Sequence, residues 1–235
     1  PTDPAQYGRL VVNGAEQLER IVEYWDADEA TRAINLCNSG AVAVDSKKLA
    51  ALLACLSNDN AKGEYYLTDI VGLACQDGAQ CIVVEGDPDE LIGIDTREDL
   101  ARAEAGFQAE FRRAALAGGA TLLDPETVWF SFDTEIGQDV IVEPNVFFGP
   151  GVKIGDSVSI KSFSHLEGCV VRDGATVGPF ARLRPGADIG AQSKIGNFVE
   201  VKNSYIHHSA KVSHLTYIGD ATIGENANIG AGTIT

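Results

Sequence analysis

The 235-residue chain has no methionine, not even at position 1, and only two tryptophans. A natural reading frame of this length would carry its initiator, so an internal piece of a longer protein is expected. Positive charge is scarce, with 18 basic against 34 acidic residues and a net charge of −16. Long-range repulsion then argues against nucleic acid or an anionic membrane surface as the main partner, and a phosphorylated ligand would need a local basic pocket. The longest apolar run, Leu49–Leu56, is eight residues, whereas a membrane helix needs about 20. No charged-then-apolar leader opens the chain. Cys37, Cys55, Cys75, Cys81 and Cys169 form an odd set without a C-x-x-C pair. That argues against a disulfide or zinc framework and for reduced thiols in a cytoplasmic protein.

What the chain does have, in its second half, is a repeat. From Phe130, bulky apolar residues recur at every sixth position through Ile136, Val142, Phe148, Ile154, Ile160 and Leu166. The series slips by one and resumes at Val171, Val177, Leu183, Ile189, Ile195 and Val201. It slips again to Ile206, Val212 and Ile218, then once more to Ile223 and Ile229. A period of six fits neither a helix face nor an amphipathic strand. It fits a parallel β-helix in which three hexapeptides close one triangular coil, with one apolar side chain per hexapeptide pointing inward. The small residue that often follows, as in Ile195-Gly196, is expected at the sharp corner.

The first half lacks this period. Arg9–Val12, Arg20–Tyr24 and Cys81–Glu85 read as strands, while Asp26–Ala33, Ser46–Leu56 and Leu67–Cys75 read as helices, an α/β pattern. A further helix opens at Thr96, with Asp99 completing a near capping box, and stops at Gly118-Gly119. Leu100, Ala103, Phe107, Phe111 and Ala114 should form its apolar stripe.

Few residues could carry chemistry. In His214-Leu215-Thr216-Tyr217 the inward slot is Val212, so His214 should face outward; it is either an exposed packing histidine or a general base. Arg184 and Lys202 are eighteen residues apart, one coil, so their charges should stack about 5 Å from each other. Either they neutralise nearby acids or they hold an anion, for which phosphate is the obvious candidate. Asp95 is a helix-entry acid or a hard oxygen ligand suited to Mg²⁺. Nothing resembles a glycine-rich phosphate loop.

At these residues the sequence resembles the bifunctional bacterial family that acetylates glucosamine 1-phosphate and then uridylylates the product to UDP-N-acetylglucosamine. The most specific stretches are Gly178–Gly186, Gly196–Lys202, His214–Asp220 and Asn228–Thr235, joined by Tyr7–Arg9, Ile21–Glu23, Asn38–Gly40 and Gly63–Tyr66. The resemblance implies the C-terminal part of a Rossmann-type nucleotidyltransferase domain at 1–97, a linker helix at 98–118 and a left-handed parallel β-helix at 119–235. It implies His214 as the base that takes a proton from the sugar amine, Arg184 and Lys202 as the phosphate clamp, and Tyr217 and Asn228 as sugar contacts. Ala231 would offer its backbone to acetyl-CoA. For uridylyl transfer from UTP it sets Gly8, Glu23, Asn38 and Asp95 against the sugar nucleotide, with Asp95 also at Mg²⁺.

The chain departs from the family at Asp95, usually Asn, and at Tyr24-Trp25, usually His-Lys. The family's nucleotide loop, catalytic lysine and first Mg²⁺ aspartate would precede Pro1, and further coils would follow Thr235. Neither activity is therefore expected of these 235 residues alone. The resemblance also implies a cytoplasmic homotrimer with sites between chains. Two rival readings remain: a zinc carbonic anhydrase on the same fold, using His207, His208 and His214, and a non-catalytic trimerising scaffold.

Overall fold

A computed structural model describes the chain except for residues 1–3, 5, 15, 16, 88, 89 and 92. It divides into two compact units, Pro1–Ala103 and Glu104–Thr235.

In the first unit, β1 (Arg9–Val12) and β2 (Leu18–Val22) pair antiparallel. Three helices follow: α1 (Glu29–Arg32), α2 (Ser46–Ala54) and α3 (Asp69–Gln76). Asp28 and Asp45 cap the first two through their carboxylates, which accept from Thr31 and Lys47 N–H. Leu10, Leu18, Leu52, Ile70 and Val71 form the core. The strand expected at Cys81–Glu85 shrinks to a single bridge, Cys81 to Leu18. Its alternate residues Ile82 and Val84 stand 69 and 84% exposed, so no neighbour pairs with that edge. Among the described residues the sheet of this unit is thus a ribbon extended by isolated bridges.

Helix α4 (Arg97–Ala117) starts as its sequence predicts. Asp99 accepts from the Thr96 backbone N–H at 2.8 Å, and Thr96 Oγ1 accepts from the Asp99 N–H at 3.1 Å. The Thr96 hydroxyl, which donates to Asp99 Oδ2 at 2.6 Å, then Arg102 and the Thr96 N–H hold the Asp99 carboxyl down at about 2. The depressed value means that the cap contributes above the ordinary carboxylate range and is lost only as pH falls through about 2. The helix ends at Gly119, φ +100°, beyond which Ala120 N–H donates back to Ala115 O.

Its buried face is the expected stripe only at Phe111, which packs against the core. Leu100 is 52% and Phe107 36% exposed, whereas Gln108, Arg112 and Ala115 are buried. The reason is hydrogen bonding. Gln108 Nε2 donates to Phe130 O at 2.6 Å, and Phe130 N–H donates to Gln108 Oε1 at 2.9 Å. Arg112 donates through Nε to Val128 O and through Nη2 to Glu126 O. The helix thus serves the first coil as a neighbouring strand would, closing an edge that would otherwise template aggregation. Gln108→Ala should leave both Phe130 groups orphaned, costing about 1–3 kcal/mol for each; a lowered denaturant midpoint measures it.

The second unit is a solenoid of parallel strands, two residues long except for two of nine, paired 17 or 18 residues on after a first step of 20 from Thr121 to Ile141. Every member of the six-residue series is buried or, for Ile136 and Ile229, packed against the core. The slips are five-residue sides: Leu166 pairs with Leu183 at a spacing of 17, where Leu183 and Val201 are 18 apart. The rings stack too, Phe111 on Phe130 at 4.8 Å and Phe130 on Phe148 at 5.1 Å.

Two expectations need correction. Each hexapeptide buries two side chains, not one: the position two residues before each large aliphatic also points inward, as Val140, Val158, Ser164, Cys169, Ala181 and Thr216 show. Burial pushes the Cys169 thiol up to about 12. Second, the glycine after the aliphatic is not the corner. At Gly196 a Cβ would lie 1.8 Å from Ser213 O of the next coil, so glycine is there for close stacking.

The corners lie two residues further on and adopt positive φ in three columns. One column is polar (Asp139, Ser157, Gly174, Gln192, Ser209, Asn226) and one is mostly glycine (Gly151, Gly168, Gly186, Asn203, Asp220). The third begins with Asn145 and continues with Phe163, Phe180, Phe198 and Leu215, bulky residues in a backbone region they rarely adopt.

Candidate functional site

The site is built from two long strands, Lys194–Lys202 and Lys211–Gly219, which run through the aromatic corner at Phe198 and Leu215. Their register is Ile195 to Val212, Asn197 to His214, Glu200 to Tyr217 and Lys202 to Gly219. Val212 and Ile218 point inward and are fully buried, so His214 faces outward and is exposed, as its spacing predicts. Below the imidazole the backbone is fixed, because the buried Thr216 hydroxyl donates to His214 O at 2.9 Å.

The next coil lies above. Val212 pairs with Ile229, and Tyr217 bridges to Ile234, both seventeen residues on. Carried between those two pairs, the same spacing stacks Ala231 over His214. Asn228 pairs with Lys211, three residues before the histidine. Tyr217 donates its N–H to Thr233 O at 3.0 Å. Histidine, tyrosine and the Ala231 backbone therefore share one edge.

Past the corner lies the cation pair. Leu183 pairs with Val201, so Arg184 and Lys202 stack on successive coils. Each also has an acid: Arg184 Nη1 contacts Glu200 Oε1 at 2.8 Å, and Lys202 Nζ lies 3.6 Å from Asp220 Oδ2. The neutralising acids of the first alternative are thus present, and the cations retain donors. Arg184 has five N–H groups and this contact uses one. Asp220 accepts from Asn203 Nδ2 at 2.7 Å through its other oxygen. That bond and then Lys202 hold its carboxyl below the usual range. From His214 to Gly219, which stacks on Lys202, is five residues, about 16 Å if fully extended and less around a corner.

In the first unit Gly8, Glu23 and Asn38 come together. Asn38 N–H donates to Gly8 O at 2.8 Å, and a Cβ on Gly8 would lie 3.4 Å from Glu23 Oε2. Glu23 Oε1 accepts from the Thr68 hydroxyl at 2.8 Å. Nearby, Asp69 is pushed up by burial and then by Glu23 and Asp26. Trp25 is 51% exposed with its ring edge-on to Tyr24 at 5.3 Å. Asp95 is exposed, and among the described residues no three acidic, histidine or cysteine side chains converge on a metal-sized space. Asp95 alone therefore does not make a Mg²⁺ site. His207 packs edge-on to Tyr205 at 4.4 Å, across the Ser209 corner from His214, so the described residues do not gather the histidines that the zinc reading needs.

Sequence reasoning missed Glu200 and Asp220, the acids that face the two cations. The signal was there, since each lies 16 or 18 residues after its partner.

Residues 133–168 match the family described as bacterial transferase hexapeptide (six repeats). A solved structure, the acetyltransferase domain of PglB from Neisseria gonorrhoeae in complex with acetyl coenzyme A, is similar over 52% of this chain and 63% of that one, at 20% identity and a TM-score of 0.40. Much nearer are proteins called bifunctional protein GlmU. That of Paramagnetospirillum magneticum is 58% identical over 235 residues, that of Sphingopyxis alaskensis 55% over 235, and that of Paracoccus denitrificans 58% over 234. In each case essentially this whole chain is covered but only 52% of the relative, so the chain spans about half their length. With more than half of its residues identical to these proteins from end to end, the chain is similar to about half of a bifunctional protein GlmU.

Proposed function

We propose that this chain carries the acetyl-transfer centre of a protein that makes UDP-N-acetylglucosamine. The observation that carries the reading is the register of the two long strands, which places an exposed imidazole, a tyrosine and two stacked cations along one edge. An amine attacks a thioester only when neutral. His214 takes the proton from the amine of glucosamine 1-phosphate as the nitrogen bonds to the acetyl carbon. The carbon–sulfur bond then breaks, His214 passes its proton to the sulfur, and coenzyme A leaves as its thiol. Arg184 and Lys202 hold the phosphate, Tyr217 and Asn228 the sugar, and the backbone at Ala231 lies against acetyl-CoA. A backbone N–H of this last coil stabilises the developing oxyanion.

The test of the clamp is Arg184→Gln in the full-length protein. KM for glucosamine 1-phosphate should rise at least tenfold while KM for acetyl-CoA stays put. An unchanged sugar-phosphate KM would remove the clamp from the scheme.

The assembly is a homotrimer. Phe163, Phe180, Phe198 and Leu215 are 46–60% exposed on one corner, and the three rings stack at 4.9 and 5.2 Å. Bulky residues with positive φ cost about 1 kcal/mol or more each. That cost is explained when neighbouring chains bury them, which also brings a second chain to the edge where His214 stands. Phe180→Asp should shift the sedimentation mass from three chains to one.

The second activity, uridylyl transfer from UTP to N-acetylglucosamine 1-phosphate, belongs to the first unit. The contact of Gly8, Glu23 and Asn38 supports their grouping around the sugar nucleotide. Asp95 would offer Mg²⁺ a carboxylate there.

A further inference from the structure

The face of the prism between the polar and aromatic corners differs from the other two. In its last four coils the segments 175–179, 193–197, 210–214 and 227–231 contain no aspartate or glutamate, in a chain with 34 of them. The other faces carry Asp173, Asp188, Glu200 and Glu225 at the same height. Five lysines stand on the coils. Lys153, Lys161 and Lys202 each face a carboxylate, Glu135 at 2.6 Å, Glu143 at 2.9 Å and Asp220 at 3.6 Å. Lys194 and Lys211 have no ion pair among the described residues and instead pair with each other in register, both exposed. Asn228 caps the column and Thr176 lies beneath it, so four successive outward positions are hydrogen-bond donors.

We propose that Lys194 and Lys211 form a phosphate-binding step on this face, three residues from His214 along the same strand. Two ammonium groups one coil apart, about 4.8 Å at the backbone, match the span of a phosphate dianion. Bound there, the anion relieves a repulsion that no carboxylate of the described chain relieves. The exposed lysines are point charges with mobile stems, which suits capture of a phosphate arriving at differing angles better than a rigid bidentate grip. The acid-free surround focuses the field that steers an anion toward the histidine. Under the reading proposed above, which this inference extends, Arg184 and Lys202 already hold the sugar phosphate, so the phosphate at the lysine step is one carried by acetyl-CoA. The lysine column is distinct from Arg184 and Lys202, which lie beyond the aromatic corner.

The test uses the full-length protein and the double variant Lys194→Gln/Lys211→Gln, with Lys153→Gln on another face as the control. Inorganic phosphate is titrated by calorimetry, with no turnover needed. It should bind the parent and the control alike and the double variant at least tenfold more weakly, and Lys194→Glu should abolish binding. In turnover, the KM for acetyl-CoA should rise about tenfold with kcat unchanged. A rise confined to glucosamine 1-phosphate would overturn the assignment to acetyl-CoA. Equal phosphate affinity in all variants together with unmoved KM values overturns the proposal. If acetyl transfer proves absent while phosphate binding still depends on both lysines, the lysine site stands and the acetyl-transfer reading falls.

Discussion

Replacing His214 by alanine in the full-length protein should lower acetyl transfer about 10²–10⁴-fold, the usual worth of a positioned general base. The imidazole is exposed and its neighbours Val212 and Thr216 hold the coil from inside, so the melting temperature should not move. Uridylyl transfer should be untouched, because the residues assigned to it fall in the other compact unit. A drop confined to kcat for the acetyl step marks the histidine as the base. Retained activity would reduce it to an exposed packing residue and assign the base to another group.

Gly196→Ala should produce the second large effect, by a different route. The added methyl would sit 1.8 Å from Ser213 O and 2.7 Å from Ser213 C. Neither strand can yield easily, since both are locked in register with their neighbours over nine residues. Overpacking of this kind costs about 1–3 kcal/mol, sometimes more. The displaced residue immediately precedes His214, so the acetyl step should weaken along with thermal stability. Gly106→Ala tests the mechanism, because a Cβ there meets nothing within 4 Å. It should not lower stability if stacking distance, rather than glycine as such, sets the requirement.

Much of the solenoid could be read in advance because its large inward residues are chemically uniform. Ile, Val, Leu and Phe at a fixed step leave little room for another reading, and all became core. The second inward position was hidden by its variety, with Val158, Ser164, Cys169, Ala175 and Thr216 sharing only modest size. Helix α4 misled for a related reason. Its apolar stripe was plain in the sequence, but the face that turns inward is chosen by Gln108 and Arg112, whose partners are backbone carbonyls and an N–H that no pattern displays. The strand at Cys81–Glu85 failed because an apolar run says nothing about whether a neighbour is present to pair with it. At the candidate site, the outward aim of His214 and the stacking of Arg184 on Lys202 follow from arithmetic on the repeat. The acids opposite the cations needed side-chain geometry. Phenylalanine at a corner is invisible to composition; only the backbone angle makes it unusual.

Stacked coils also act as a ruler. From Trp129 through Phe147, His165, Arg182 and Glu200 to Tyr217, one column climbs five steps, each about 4.8 Å. The histidine's level is thereby set roughly 24 Å above the first coil by how many turns lie beneath it. Excising one whole turn from the lower stack, with its registers rejoined, would lower the reaction centre by a single step and leave its own surroundings unaltered. Height and chemistry in this molecule are therefore separately adjustable.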